Sequence, residues 1–285
     1  MTSSPLFSIL MTAYNREKLI VEAIESVLNS NYTNWELIIV DDRSTDNTFA
    51  IAQKYAMQDE RIKVYINEQN LGDYPNRNKA STYAKGEFML YVDSDDEIYP
   101  ETISNLIEVL KIYPDLNFGM FYAHSPSPIK VESAEAIHNH FFKQQFLYIG
   151  PGGTILRRSF FNEINRYPEK YGPANDMYFN LKACCYSPIV LFPFQLVNYR
   201  VHDGQEINNS YSYLYNNYRY EKDSFNELPL PLSKKERLWL IKKMKRRFLV
   251  NVTKYFIKTK DLKKTYNAIK LTNYKFSDAL IGIFQ

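Results

Sequence analysis

An α/β fold with a mostly parallel central sheet is predicted by three features of this sequence. The first is the run Phe88 to Val92, apolar and aromatic throughout, which passes directly into Asp93, Ser94, Asp95 and Asp96. A short unbroken run of this kind suits a strand buried on both faces of a parallel sheet. The second is the succession of strand, helix and strand between Phe7 and Val40, the pattern of a right-handed βαβ unit. The third is the repetition of that alternation as far as Tyr122, with acids or turn formers closing the apolar runs. Open α/β sheets bind ligands beyond the carboxyl ends of their strands, so the acids stand where chemistry is expected.

In chain order, Phe7 to Met11 reads as the first strand and Thr12-Ala13-Tyr14-Asn15-Arg16 as the loop leaving it. Leu19, Ile20, Ala23, Ile24, Val27 and Leu28 fall at spacings of three and four, the mark of a helix packed on a sheet. Trp35 to Val40 is the second strand and runs into Asp41 and Asp42; Thr48 to Met57 is helical; Ile62 to Ile66 is the third strand. Pro75 to Tyr83 reads as a helix with proline in its first turn, carrying Arg77. Pro100 to Ile112 is helical and Phe118 to Tyr122 extended. Ala123 to Tyr148 reads as irregular, with a helix near Ala134 to Phe142. His138 and His140, two apart in this polar segment, read as solvated rather than as metal ligands. Gly150-Pro151-Gly152-Gly153 matches neither a P-loop nor a dinucleotide fingerprint and reads as backbone lining an acceptor groove, before a short strand Thr154 to Arg157. A helix capped by Asn175 or Asp176 follows, then strands Ile189 to Phe192 and Leu196 to Val201, the last entering His202.

The 285 residues, 45% of them apolar, suit one large domain with an appendage. Cys184 and Cys185 are adjacent, which excludes an ordinary disulfide framework and suits a reducing compartment. The first residues lack a signal-peptide pattern, and no apolar stretch approaches the roughly 18 residues of a membrane span. A cytoplasmic protein, or one peripheral on the inner face of the cell membrane, is expected. The net charge of +3 hides an asymmetry: residues 231–285 hold fifteen Lys and Arg against three acids, net +12, leaving about −9 for the rest. Such a split argues for an anionic partner of the tail.

Asp93, Asp95 and Asp96 repel one another unless a cation or hydrogen-bond donors compensate. Hard oxygen ligands beside a crevice suit Mg²⁺ or Mn²⁺ held together with a diphosphate; the alternative is a polar turn capping the next helix.

Residues 5–210 resemble the inverting glycosyltransferases of family 2, which have the GT-A fold. The resemblance rests on four motifs in the family's order: Ser8 to Arg16, Glu36 to Asp46, Asn70-Leu71-Gly72 with Arg77-Asn78, and Asp93-Ser94-Asp95-Asp96. It implies that Thr12, Ala13, Tyr14 and Arg16 line a nucleobase pocket, with Asp41 accepting from the base or ribose and Asp42 close by. Asn70 and Ser94 join the donor site, Arg77 approaches the donor phosphates, and Asp93 meets the ribose. Asp95, with Asp93 and His202, would hold Mn²⁺ or Mg²⁺. Asp176 matches the general base, although Asn175 stands where the family commonly has Glu. The donor implied is a nucleotide diphosphate sugar, UDP-linked by commonest use, and the acceptor a glycan or lipid-linked glycan.

The implied division is a catalytic domain over 1–210, with a nucleotide-sugar half over 1–122 and an acceptor half over 123–210, followed by a basic helical extension over 211–285. In that extension Ser233 and Glu236 have capping-box spacing, and Ile241, Met244, Phe248 and Val252 fall at helical intervals among Lys and Arg; a second helix runs from Asp261 to about Leu271. Peripheral membrane contact through these helices is one reading, and packing of their apolar face on the catalytic domain the other. Without a recognised motif, no nucleic acid is expected. A sugar-phosphate nucleotidyltransferase would want a glycine-rich basic loop after the first strand, and Thr12 to Arg16 holds no glycine. The remaining rival is an inactive glycan-binding or scaffold homologue.

Overall fold

Strand β1 (Phe7–Ala13) is an interior strand of the molecule's main sheet, and all but one of its residues are buried. In the computed structural model, which describes residues 4–201 and 209–283, β1 pairs in parallel with β2 (Trp35–Asp41) on one side and with β4 (Phe88–Tyr91) on the other. Beyond β2 lies β3 (Ile62–Ile66), also parallel. Across β4 comes β8 (Thr154–Arg157), antiparallel to both β4 and β6 (Phe118–Phe121). β9 (Ile189–Phe192) continues parallel to β6, and the short β7 (Ile129–Val131) closes the edge antiparallel. The sheet order among the described residues is β3-β2-β1-β4-β8-β6-β9-β7. Only β8 and β7 run against the rest, so the sheet is mostly parallel, as expected.

The crossovers are helices α1 (Ile20–Leu28), α2 (Thr48–Ala56), α3 (Asp73–Tyr83) and α4 (Thr102–Ile112). Helix α1 buries Ile20, Ala23, Ile24 and Val27 in the core with Phe7, Ile9 and Leu37, as its spacing required. A fully buried Leu or Ile side chain contributes roughly 1.5–3 kcal/mol, so this face, rather than helix propensity, holds α1 in place.

Three features around the main sheet escaped the sequence. β5 (Glu97–Ile98) and β10 (Val197–Asn198) pair antiparallel as a separate ribbon, and the strand expected from Leu196 to Val201 contracts to those two residues. The edge strand β7 lies inside the stretch read as irregular, ahead of α5 (Ser133–Phe142). Helix α6 (Arg158–Glu163) follows β8 directly, its backbone entry held by Arg158 N–H on the Glu87 carbonyl at 2.9 Å.

By its packing the chain forms two compact units, one of Met1–Glu132, Ile149–Tyr167 and Tyr186–Val201, the other of Ser133–Tyr148, Pro168–Cys185 and His202–Gln285. The first contains both sheets. The second is helical and unites α5 and α7 (Asn175–Tyr186) with α8 (Ser210–Glu227), α9 (Lys234–Thr259), α10 (Leu262–Thr272) and α11 (Phe276–Ile283). Within it α9 packs on α8, α10 and α11. The capping box forms as spaced: Ser233 Oγ accepts from Glu236 N–H at 3.2 Å, and Glu236 Oε2 accepts from Ser233 N–H at 2.8 Å. The buried stripe of α9 is Leu240, Met244, Phe248 and Val252, so Leu240 replaces the expected Ile241. Helix α8, whose Tyr and Asn content hides any period, starts from an Asn209 side-chain cap on Ser212 N–H.

His140 is buried in this unit rather than solvated. It is 1% exposed, and its Nδ1 accepts from Phe146 N–H at 3.2 Å and Leu147 N–H at 3.1 Å. Burial first, then the charge of Arg247, lowers its pKa from 6.5 to about 3. The unfolded chain therefore takes up a proton that the folded state refuses. Stability is complete above about pH 6.5 and is lost as pH falls towards 3. Urea unfolding should show a loss of about 2 kcal/mol between pH 7 and pH 5 from this group, with a much smaller loss in His140→Gln; equal slopes in the two chains would contradict it.

Candidate active site

The carboxyl ends of β1, β2 and β4 lie on one edge of the first unit's sheet, because the three strands are parallel and adjacent. The loops leaving them bring together most of the residues singled out in the sequence. After β1, Asn15 takes a left-handed backbone, φ 53°, which Asn tolerates. Its Oδ1 accepts from Thr45 N–H at 2.8 Å and its N–H donates to Ser44 Oγ at 2.9 Å. The loop after β1 is thereby stitched to the loop after β2. Thr12 is half-buried, Ala13 buried, and Tyr14 45% exposed.

Asp41 and Asp42, though adjacent, do different work. Asp41 is fully buried; Oδ1 accepts from Ser44 N–H at 2.8 Å, while Oδ2 has no hydrogen-bond partner among the described residues. Burial raises its pKa. Asp42 instead builds the loop after β3: Oδ1 accepts from Asn67 Nδ2 and Leu71 N–H, and Oδ2 from Gly72 N–H, each at 2.8 Å. Gly72 holds φ 85° to present that N–H, a backbone that favours glycine. Asn70 Nδ2 donates to the Asp42 carbonyl at 3.0 Å. Asn76, in the first turns of α3, donates to the Val40 carbonyl at 3.0 Å and fixes that helix on β2.

One oxygen from each of Asp93, Asp95 and Asp96 lies within 4.8 Å of the others, directly after β4. Two arginines compensate the first two. Arg77, buried, places Nη1 and Nη2 at 2.7 and 2.9 Å from the two oxygens of Asp93, and its Nε donates to Asp73 Oδ1 at 2.7 Å. Arg16 donates from Nε to Asp95 Oδ2 at 3.0 Å, with Nη1 on the Tyr14 carbonyl at 3.2 Å. Asp96 is 3% exposed; burial first, then the charges of Asp93 and Asp95, push its pKa up to about 7. A donor set of three carboxylates without nitrogen or sulfur fits a hard cation such as Mg²⁺ or Mn²⁺. Ser94 is buried beside it. His202 lies outside the described residues.

Asp176 belongs to the second unit, in the first turn of α7, where a helix N-terminus favours a carboxylate. It is 9% exposed and Oδ1 accepts from Met177 N–H at 2.7 Å. Asn175, where Glu is commoner in the family, shapes the 3-10 turn Gly172–Ala174: its Oδ1 accepts from Tyr171 N–H at 2.9 Å and its Nδ2 donates to the Gly172 carbonyl at 2.7 Å.

The sequence model of the family described as Glycosyl transferase family 2 matches residues 8–167. This chain belongs to that family. It is 40% identical over 106 residues to a putative teichuronic acid biosynthesis glycosyltransferase, TuaG, of Bacillus subtilis, covering 37% of this chain and 42% of that one. It is 46% identical over 92 residues to the UDP-Glc:alpha-D-GlcNAc-diphosphoundecaprenol beta-1,3-glucosyltransferase WfgD of Escherichia coli, covering 32% of this chain and 35% of that one. The chain spans about two fifths of the length of such curated relatives. In fold it is similar to S. aureus TarS 1–349 crystallised in complex with UDP-GlcNAc, with a TM-score of 0.73 and 22% identity over 96% of this chain and 83% of that one. It is also similar to the mannosyltransferase PcManGT of Pyrobaculum calidifontis in complex with GDP-Man and Mn²⁺, with a TM-score of 0.66 and 14% identity over 99% of this chain and 88% of that one. At these identities the likeness shows the fold, the GT-A architecture expected from the motifs.

Sequence reasoning missed Asp73, the second acid on Arg77, and gave Asn67 and Asn76 no part. Their signal was present only as polar residues in helix and loop positions, with nothing to mark them as buried. Arg77→Ala would leave Asp93 without its cation. A loss of about 3 kcal/mol in urea unfolding is expected, on the scale of a broken buried pair, and Arg77→Lys should recover less than half because a lysine lacks the planar fork. Full recovery by Lys would contradict this role.

Proposed function

We propose that this chain transfers a sugar from a nucleotide diphosphate sugar, UDP-linked in the first instance, to a hydroxyl of a glycan or lipid-linked glycan, with inversion and with the help of Mn²⁺ or Mg²⁺. The observation that carries the reading is the acid turn after β4, three carboxylates with oxygens within 4.8 Å of one another, of which, among the described residues, two are paired with a guanidinium side chain. WfgD, named for its UDP-Glc donor, and TarS, crystallised in complex with UDP-GlcNAc, support the donor class.

The roles proposed are those that the family resemblance implies, and the geometry supports some of them. Asp41 Oδ2, buried and unpartnered among the described residues, is the acceptor proposed for the nucleobase or ribose, beside Thr12, Ala13 and Tyr14. Asp42 and Asn70 shape the loop after β3. Asp95 and Asp93 would hold the cation, with His202 kept as a candidate and Asp96 as a third carboxylate; a cation bound there supplies charge to a departing diphosphate. Arg77 acts on the donor through Asp93, which it orients. Asp176 is the proposed base that takes the acceptor's proton, a step worth about 10²- to 10⁴-fold. We retain 1–210 as the catalytic region and 211–285 as its basic extension.

The test is binding and turnover across UDP- and GDP-sugars with Mn²⁺ or Mg²⁺. Metal-dependent thermal stabilisation by one donor, lost in Asp95→Ala, is expected. Asp176→Asn keeps a side-chain acceptor for Met177 N–H, so it should bind donor normally while transfer falls about 10³-fold. Asp41→Asn should weaken nucleotide binding by about 10-fold or more, the scale of one hydrogen bond to a charged group. Native turnover by Asp176→Asn would remove the base, and no binding of any nucleotide sugar would remove the reading.

The partner of the tail belongs to the same proposal. Among the described residues no helix is long and apolar enough to cross a membrane. However, Leu262, Tyr266, Leu271 and Phe276 are 71, 67, 51 and 80% exposed, between Lys263, Lys264, Lys270 and Lys275 with no acid among them. Apolar side chains set among lysines suit the surface of an anionic bilayer. Sedimentation with phosphatidylglycerol vesicles should exceed that with neutral ones and fall in Lys263→Glu/Lys270→Glu; equal sedimentation would exclude the contact.

A further inference from the structure

Arg200 touches the acid turn without being one of its carboxylates. Its own N–H donates to Asp96 Oδ1 at 3.1 Å, and its Nε donates to the Asp95 carbonyl at 2.6 Å, across 105 positions of sequence. The far side of the guanidinium is anchored at the start of α1: Nη2 donates to the carbonyl of Leu19, the residue before the helix, at 2.9 Å, and Nη1 stands 3.0 Å from Glu22 Oε2 within it. Nη1 is also 3.3 Å from Glu97 Oε1, on the β5 strand that follows the turn. The side chain is 17% exposed.

Two carboxylates already face this one cation, so its charge is matched before any diphosphate arrives. What it adds is geometry. The turn closes on itself through Asp96 N–H donating to the Asp93 carbonyl at 2.9 Å. Besides the Arg77 and Arg16 contacts, Arg200 supplies two further fastenings, its side chain on the main chain of Asp95 and its own N–H on the carboxylate of Asp96. A planar guanidinium can reach a carbonyl on the turn and a carbonyl at the start of α1 at once, because its donors diverge in a rigid fork. A lysine has one compact head and must choose between them.

We propose that Arg200 is a positioning residue for the divalent-cation site: it orients the Asp95–Asp96 peptide from outside the set of ligands, so that the cation affinity of the turn depends on it. This rests on the reading of the acid turn given above. Groups that orient ligands in this way typically change metal affinity by 10- to 100-fold when removed.

The experiment is a titration of the full chain with Mn²⁺, followed by electron paramagnetic resonance, with and without UDP, in the native protein, Arg200→Met, Arg200→Lys and Glu22→Gln. The Mn²⁺ dissociation constant should rise about 10-fold or more in both Arg200 variants, and stay within about twofold of native in Glu22→Gln, where only an outer ion pair of a half-exposed side chain is lost. Melting temperatures in EDTA separate this from a general lesion, which would lower stability and leave the affinity of the folded fraction unchanged. Where Arg200→Met fails to fold, Arg200→Lys decides. Native affinity in folded Arg200→Lys overturns the inference while leaving the acid turn as a metal site. A native chain that binds no Mn²⁺ overturns the metal reading and this inference with it.

Discussion

Three carboxylates with oxygens within 4.8 Å of one another are the constraint on which the first unit depends. Left alone, such a group would protonate or spread apart. The fold holds the group together by placing it at the carboxyl end of a central strand whose neighbours are fixed in register, Leu10 against Tyr91 and Ala13 against Asp41. Cations then approach from separate directions. Arg77 comes from α3, Arg16 from the loop after β1, and Arg200 from the segment after β10. Burial first, then the charges of Asp93 and Asp95, raises the pKa of Asp96.

Holding those arginines requires the polar scaffold around them. Asn76 and Asn67 fasten the start of α3 to β2 and to the loop after β3, and Asp42 closes that loop on Gly72. Asp41 is left with one buried oxygen without a partner among the described residues. A buried polar atom without a partner costs about 1–3 kcal/mol, so this oxygen is a natural place for a ligand donor to recover free energy. Stability and function meet at these residues: the groups that stiffen the loops are the ones that decide which acids remain available.

Much of the fold was legible because apolar runs here are short and punctuated. Ile62–Ile66, Thr154–Arg157 and Ile189–Phe192 are strands to the residue. The two-residue ribbon of β5 and β10 was not legible, since its pairing joins positions about a hundred residues apart and leaves no local period. Helix α8 escaped for the opposite reason: its many tyrosines and asparagines show no apolar stripe, although Tyr218, Tyr220 and Phe225 are buried. At the site, the motifs drew attention to the right stretches but not to how each side chain is used. Asp41 and Asp42 read as a pair, yet adjacent residues of an extended chain face opposite ways, and one became a free acceptor and the other a loop staple. Arg77 read as a phosphate contact, and its guanidinium is engaged with Asp73 and Asp93. Arg200 carried no signal, because an arginine in a loop looks the same whether it meets solvent or a carbonyl on a distant turn.

The most direct test of the central claim is the anomalous scattering of Mn²⁺ in crystals of this chain grown with UDP. A single strong peak within coordinating distance of Asp95 and Asp93, with the diphosphate against it, is predicted. A peak at another site, or UDP bound with no metal at the acid turn, would contradict the account.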